Sequence, residues 1–488
     1  MGVSKEELAQ ILQKAEAAFV EIGQLGIAKR VSFMRVVASE IEALGVALIE
    51  TAQAESHLPE ARLIGEKGRT VFQWRSYADA LERGEPLDAS IDTANTDRTP
   101  PKPDIRKTNV GLGPVAVFGA SNFPFAFSTA GGDTASAIAA GCPVIVKAHS
   151  GHPKTSGLMA QAILNAIAKT GMPEGTFAHV YGSGGEIGQA LATDPIIKAI
   201  GFTGSYTGGM ALVESAQKRA EPIPVFAEMG SNNPVFLLPE KLKQSAVALA
   251  AQYTGSLTLG VGQFCTNPGL LIGIEGEDLK EFTTALKSEV QQISPAYMLN
   301  NKIASGYAES KASVLAQSGV AIVAEATQQA VEGQGAAAVA TVQAAAFLSN
   351  ELLTQEVFGP FALLIVCKDS EEVMAVAQKL HGQLTATLLG TDTDLQQHAD
   401  LLKIVQQKCG RIMFNNFPTG VEVCKSMHHG GPFPSSSNSQ YTSVGSDSIK
   451  RFVRPLSFQN WPDALLPEEL QASNPLQIWR TVDNVLSK

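Results

Sequence analysis

Cysteine is scarce. The 488-residue chain has five, at positions 142, 265, 367, 409 and 424, an odd and scattered set without CxxC spacing. That excludes a disulfide framework and the usual zinc-ligand patterns, so no metal is expected and a reducing compartment fits better. Basic charge is short as well. Lys plus Arg number 37 against 47 Asp plus Glu, a formal charge of −10, the wrong sign for a nucleic-acid-binding face. Long apolar runs are missing. The longest, 135–146, contains Gly141 and Pro143 and stops at Lys147, far below the ~20 residues of a membrane span. The start, Met1-Gly2-Val3-Ser4-Lys5, shows no apolar signal region, and the Gly-x-Gly-x-x-Gly dinucleotide fingerprint is absent. A cytoplasmic protein without nucleic-acid or membrane partners is expected.

What is present is an ordinary globular balance, 44% hydrophobic and 17% charged residues. The chain is too long for one core, so two or three domains are expected. Helical periodicity covers 5–50 and 58–83. A polar, proline-bearing break follows at 88–107, readable as a linker or as an extended arm that pairs elsewhere. Beyond it strands (115–119, 144–147, 177–181, 199–202) alternate with helices (130–140, 155–169). A second series begins near Pro234: strands at 235–238, 363–366 and 412–414, helices at 241–259 and 277–292. Residues 328–345 read as an exposed loop and helix, and 451–461 as another extended pairing segment. This alternation predicts an α/β fold of βαβ units, with ligands at the carboxyl ends of parallel strands.

Two stretches carry chemistry. Cys265 lies in Gly262-Gln263-Phe264-Cys265-Thr266-Asn267-Pro268, a turn-forming context. Upstream, Glu228 opens Glu228-Met229-Gly230-Ser231-Asn232-Asn233-Pro234. A thiolate can attack a carbonyl, and a carboxylate can then activate water to release the acyl group. Alone, such a cysteine is more often a small buried hydrophobe, so the reading rests on its surroundings. Phe202-Thr203-Gly204-Ser205-Tyr206-Thr207-Gly208-Gly209 ends a strand and opens a helix. That geometry suits a diphosphate, and equally a plain turn.

Taken in order, Ser121-Asn122-Phe123-Pro124, Val146-Lys147, Phe202-Thr203-Gly204-Ser205, Glu228-Met229-Gly230, Gly262-Gln263-Phe264-Cys265 and Glu356-Val357-Phe358-Gly359-Pro360 resemble the aldehyde dehydrogenase superfamily, nearly end to end. Ala130-Gly131-Gly132-Asp133-Thr134, Lys147-Ala148-His149-Ser150 and Gly430-Gly431-Pro432-Phe433-Pro434 look like a narrower branch. That branch holds the α-ketoglutaric semialdehyde (2,5-dioxopentanoate) dehydrogenases and an NADP-dependent long-chain aldehyde dehydrogenase of luminous bacteria.

The resemblance implies an aldehyde dehydrogenase-like fold. A Rossmann-type cofactor domain would span 1–87 and 108–230 and a catalytic domain 231–440, with bridging segments at 88–107 and 441–488 that make a homodimer or homotetramer. Family members usually carry an extended stretch ahead of the first helix, which here begins almost at once. The implied catalytic set is Cys265, Glu228, Asn122 and Lys147. Cys265 would form a thiohemiacetal and then a thioester, and Glu228 would ready the hydrolytic water. The Asn122 amide would hold the oxyanion, such a donor being worth ~3 kcal/mol. The implied cofactor set is Ser121, Lys147, His149, Ser150, Gly204, Ser205, Gly209, Glu356 and Phe358. His149 and His152 read as polar loop residues.

NAD-preferring members commonly carry glutamate where this chain has Ser150. A hydroxyl can donate to a 2′-phosphate that a carboxylate would repel, so the expected cofactor is NADP or NAD, with acceptance of NADP favoured. No arginine stands in Gly182-Ser183-Gly184-Gly185-Glu186 to grip that phosphate. Phe125, Phe264 and Phe417 are the leading substrate candidates, with Phe127, Phe433 and Ser256 beside them. No arginine falls in an obvious substrate motif, so 2,5-dioxopentanoate rests on branch resemblance, with medium- or long-chain aldehydes as the alternative. A CoA-acylating enzyme would not need Glu228, and a non-catalytic relative would lack Cys265 or Asn122.

Overall fold

Four successive apolar residues, Val115–Phe118, form a strand buried along its whole length, as a parallel sheet covered on both faces requires. In the computed structural model, which describes residues 2–418 and 420–488, this strand is the centre of five. Met1 and Thr419, which fall inside segments assigned above to the two domains, lie outside the described residues. The strands are β1 (Val115–Phe118), β2 (Val144–Lys147), β3 (Phe177–Val180), β4 (Ala199–Thr203) and β5 (Val225–Glu228), all parallel in the order β3-β2-β1-β4-β5. Strand order reverses at β1, which opens a crevice at the carboxyl ends. Helices Ile27–Ala43, Glu60–Glu82, Gly132–Ala139 and Pro153–Thr170 supply its packing, with Phe33, Met34, Trp74 and Tyr77 fully buried in this core. Trp74 donates its indole N–H to the Ala130 carbonyl at 2.8 Å, so helix Glu60–Glu82 is tied to the loop after β1.

The second sheet has seven strands: β6 (Val235–Leu237), β7 (Leu270–Ile274), β8 (Ala321–Glu325), β9 (Ala338–Gln343), β10 (Phe361–Cys367), β11 (Gln383–Leu389) and β12 (Cys409–Phe414). Their order is β8-β9-β10-β7-β6-β11-β12; β8 is antiparallel to β9 and the other neighbours are parallel. Here one expectation fails. Residues 328–345 are not an exposed loop and helix, because β9 lies among them with Ala338, Val339, Ala340 and Val342 buried. Alanine favours helix as an isolated residue, but here these side chains are buried in a strand paired on both edges, and packing overrides propensity.

The polar break at 88–107 is extended chain that pairs. Ser90–Asp92 and Ile105–Gly111 join Val453–Gln459, Arg480–Val482 and Val485–Ser487 in a separate five-stranded sheet. The segment placed at 441 becomes strand only from Val453. Before that, Val444, Ile449 and Phe452 pack into the first core, and Arg451 pairs with buried Asp133 at 2.7 Å. Among the described residues no helix is long and apolar enough to cross a membrane.

Candidate active site

Cys265 follows helix Pro239–Thr258 through a turn in which Gly260, Val261 and Gly262 all have positive φ. A Cβ at Gly262 would collide with the backbone of Gly359 and Pro360, so this residue lets the turn press against the strand that follows. The segment after Glu228 holds the turn in place. Asn233, itself left-handed at φ 47°, donates its amide to the carbonyls of Cys265 and Asn267, each at 2.9 Å. Asn267 reaches on to the Gly359 carbonyl at 3.0 Å. Gln383 accepts the N–H groups of Asn232 and Asn233 at 2.8 and 3.0 Å. Glu228 and Cys265 are therefore set relative to each other by buried amides.

Glu228 ends β5 and is buried. Its carboxylate, the Cys265 sulfur and a ring nitrogen of His429 all lie within 4.8 Å of one another. His429 Nε2 is 2.9 Å from Glu228 Oε1 and 3.5 Å from Cys265 Sγ, and Ser443 Oγ donates to Glu228 Oε2 at 2.5 Å. Burial alone would raise the Glu228 carboxyl; His429 and Ser443 outweigh it and hold the group below its ordinary range. The Cys265 thiol moves the other way, pushed well up by burial and then by the Glu228 and Glu356 carboxylates. At neutral pH the resting sulfur thus keeps its proton, with the Glu228 carboxylate within 4.8 Å to receive it.

His429 was not among the residues singled out from the sequence. It directly precedes the Gly430-Gly431-Pro432-Phe433-Pro434 motif, which was the available signal. Backbone bonds sew its loop to β5: Met229 N–H to Ser435 O at 2.8 Å and Ser437 N–H to Ala227 O at 2.9 Å.

Asn122 lies in the loop after β1, buried, its amide donating to the Gln263 carbonyl at 3.0 Å. The bond joins the β1 loop to the cysteine turn and leaves the second amide proton for another acceptor. Arg62, on helix Glu60–Glu82, donates to the Asn122 carbonyl at 2.7 Å. Phe123 stands edge-on to Phe127 and Phe264, with centroids 5.3 and 5.5 Å apart. Phe125 is a correction: it is fully buried in the first core, behind the loop, and offers no surface to an aldehyde. Phe417 packs edge-on against Tyr253 in the second domain's core, and Phe264 keeps 8% exposure beside the thiol.

The residues expected at a cofactor gather along the carboxyl edge of the first sheet. Lys147 ends β2, half-buried, and burial lowers its ammonium. Ser150 is exposed three residues later. His149 is pushed down to about 3 by burial and by its His152 and Lys147 neighbours, so it is neutral. His152 corrects the sequence reading: it is buried, 3.1 Å from the Ala120 carbonyl and 3.0 Å from Ser156 Oγ. Ser121, partly exposed, follows Ala120 at the end of β1. Ser205 caps helix Tyr206–Gln217 by accepting the Gly208 N–H at 3.2 Å, while Gly204 N–H donates to Glu228 O at 3.1 Å. A Cβ at Gly209 would come within 2.7 Å of Met229 Sδ. Glu356, across the crevice and followed by half-buried Phe358, is pushed up to about 8 by desolvation. A capped helix end, a lysine without an ion-pair partner among the described residues and a hydrogen-bonding carboxyl suit a dinucleotide's diphosphate and riboses. The other cysteines are free; Cys142, Cys367 and Cys409 are buried and Cys424 is exposed.

The aldehyde dehydrogenase family model matches residues 2–455. Alpha-ketoglutaric semialdehyde dehydrogenase 2 of Azospirillum brasilense is 49% identical over 484 residues, 99% of this chain and 92% of that protein. The alpha-ketoglutaric semialdehyde dehydrogenase of Acinetobacter baylyi is 45% identical over 485 residues, with the same coverage of 99% and 92%. Among solved structures, betaine aldehyde dehydrogenase from Staphylococcus aureus in complex with NAD+ superposes with a TM-score of 0.79 at 17% identity, covering 94% of this chain and 89% of that one. Glyceraldehyde-3-phosphate dehydrogenase from Methanocaldococcus jannaschii complexed with NADP gives 0.78 at 17%, covering 94% and 95%. These two likenesses establish the fold.

Proposed function

This chain belongs to the aldehyde dehydrogenase family, and on that premise we propose that it oxidises 2,5-dioxopentanoate to 2-oxoglutarate. The relatives named for α-ketoglutaric semialdehyde, at 49% and 45% identity over almost the whole chain, support the substrate. The observation that carries the chemistry is one imidazole nitrogen placed between a thiol and a carboxylate.

In this reading Glu228, to which His429 Nε2 donates, takes the Cys265 proton as the sulfur bonds to the aldehyde carbon, giving a thiohemiacetal, and releases that proton to solvent before the second half-reaction. The free amide proton of Asn122 and the Cys265 N–H receive the oxyanion. Lys147, Ser205, the N-terminus of helix Tyr206–Gln217 and Glu356 would hold NAD or NADP, which would supply the hydride acceptor for conversion to the thioester. Glu228, kept ionised by His429 and Ser443, draws a proton from water so that hydroxide expels the acid from sulfur.

A fatty aldehyde is the second reading, favoured by the aromatic wall of Phe123, Phe127 and Phe264. Comparing kcat/KM for 2,5-dioxopentanoate and for hexanal separates them, and a preference for hexanal rejects the first. The exposed Ser150 hydroxyl, three residues after Lys147, supports acceptance of NADP. Five free cysteines support a reducing compartment, hence the cytoplasm. A homodimer or homotetramer is supported by the open edge at Val485–Ser487, where Val485 and Leu486 are exposed, and by exposed Ile412 and Phe414 on edge strand β12. Light scattering at micromolar concentration tests it; a monomer would reject it.

A further inference from the structure

Arg62, Glu66 and Arg69 stand at i, i+4 and i+7 on helix Glu60–Glu82, one stripe facing the loop after β1. Glu66 is spent on that loop: one oxygen accepts the N–H groups of Phe125 and Ala126 at 2.8 and 3.0 Å. Its other oxygen is 3.9 Å from Arg62 Nη2, a weak contact. Arg69 has no hydrogen bond and no ion pair among the described residues, and its Nε and Nη2 are both buried without a partner. Arg62 leaves Nη1 in the same condition. Burial lowers both guanidinium groups from their ordinary value, the mark of cations held away from water with too little opposite charge. Two positive charges face one carboxylate here, and orphaned charged donors are costly unless a ligand completes them.

Their position ties them to the reacting centre. Arg62 Cζ lies 4.6 Å from the Phe123 ring centroid and 4.7 Å from that of Phe264, the residues next to Asn122 and Cys265. Arg69 Cζ lies 5.0 Å from the centroid of Phe127, whose ring is 5.9 Å from that of His429. The packed rings thus stand between the thiol and imidazole on one side and the two guanidinium groups on the other. Arg411 also has an unpartnered Nε, but its other nitrogens are engaged by Met427 Sδ and the Gly420 carbonyl.

We propose that Arg62 and Arg69 form the subsite for the carboxylate of the aldehyde substrate, and so select a short oxo-acid semialdehyde over a neutral aldehyde. The proposal rests on the substrate reading above. The Nε and Nη2 of Arg69 share one edge of the planar fork, the arrangement that engages both oxygens of a carboxylate. Arg62 Nη1 supplies a third donor, suited to the same carboxylate or to the adjacent keto oxygen. Four C–C bonds separate the two ends of 2,5-dioxopentanoate, about 5 Å extended, so an aldehyde carbon at Cys265 would set the carboxylate among the groups packed around Phe123, Phe127 and Phe264. Its binding would bring the charge that the two guanidinium groups lack.

The test compares 2,5-dioxopentanoate with pentanal, using wild-type enzyme, Arg69→Met and Arg69→Lys. Methionine keeps an aliphatic stem over Phe127 while removing the fork. The expected result is a fall of about 30-fold or more in the ratio of kcat/KM for the oxo acid to that for pentanal in Arg69→Met, carried by KM, with partial recovery in Arg69→Lys. An equal loss on both aldehydes, or an unchanged ratio, overturns the proposal. Wild-type enzyme that prefers pentanal rejects the substrate reading itself; wild-type preference for the oxo acid that survives in Arg69→Met rejects only the arginine assignment. A second measurement needs no variant. Glutarate should protect Cys265 of the wild-type enzyme from iodoacetamide about tenfold better than neutral glutaramide, and equal protection would count against the subsite.

Discussion

The imidazole of His429 reaches the Cys265 sulfur at 3.5 Å, and the same nitrogen faces Glu228 at 2.9 Å. One side chain therefore couples the group that forms the thioester to the group that breaks it. A thiol raised by burial and by two carboxylates needs a local acceptor if it is to react at neutral pH.

Replacing His429 by Leu should lower kcat/KM at pH 7 by about tenfold, because the Glu228 base loses the partner that holds its carboxyl below the ordinary range. The deficit should shrink as pH rises. The Cys265 pKa lies well above the ordinary thiol value, so hydroxide does more of the base's work in the alkaline range. A pH profile from 7 to 10 checks this, and a deficit constant across it would mean that His429 does not act through the Glu228 base.

Glu228→Gln should separate the half-reactions. At pH 9, where hydroxide can take the thiol proton, acylation would continue and hydrolysis would slow by roughly 100-fold or more, giving a burst of reduced cofactor near one equivalent, then a slow steady state. Stopped-flow absorbance reports the burst, and intact-mass spectrometry reports the acyl adduct on Cys265.

Glu356 yields a prediction on stability. Its folded-state value, pushed up to about 8, exceeds the ordinary 4.5. Between those values the folded state binds more protons than the unfolded chain, so this group's contribution to stability falls as pH rises from about 4.5 to 8. Glu356→Gln, always neutral, should melt roughly 2 °C above wild type at pH 8 without dinucleotide and level with it at pH 5. Scanning calorimetry at both values decides the matter. The same variant should bind the cofactor more weakly.

Ser150→Glu places a carboxylate beside Lys147 at the carboxyl edge of the first sheet. The ratio of kcat/KM with NADP to that with NAD should fall about tenfold or more. An unmoved ratio would place the 2′-phosphate elsewhere.

Local patterns carried much of this molecule. Alternating strand and helix periods pointed to βαβ units, and the motif around Cys265 pointed to a nucleophile. The turn at Ser205 marked a helix end because capping chemistry is written in neighbouring residues. Strand β9 escaped because small alanines carry no alternation when a strand is covered on both faces. Phe125 escaped in the opposite sense: a phenylalanine beside an active-site motif looks the same in sequence whether its ring faces the pocket or the core.

Residue order along the chain was sufficient for the family, the reaction class and the identities of Cys265, Glu228 and Asn122 as candidates, since each lies within a short recognisable stretch. Folding alone brought His429 to the thiol across 164 positions and set Arg62 and Arg69 from a remote helix against Phe123, Phe127 and Phe264. Those relationships depend on through-space distance and on burial that strips partners from charged groups. Neither quantity exists until sheets and helices have closed around the site.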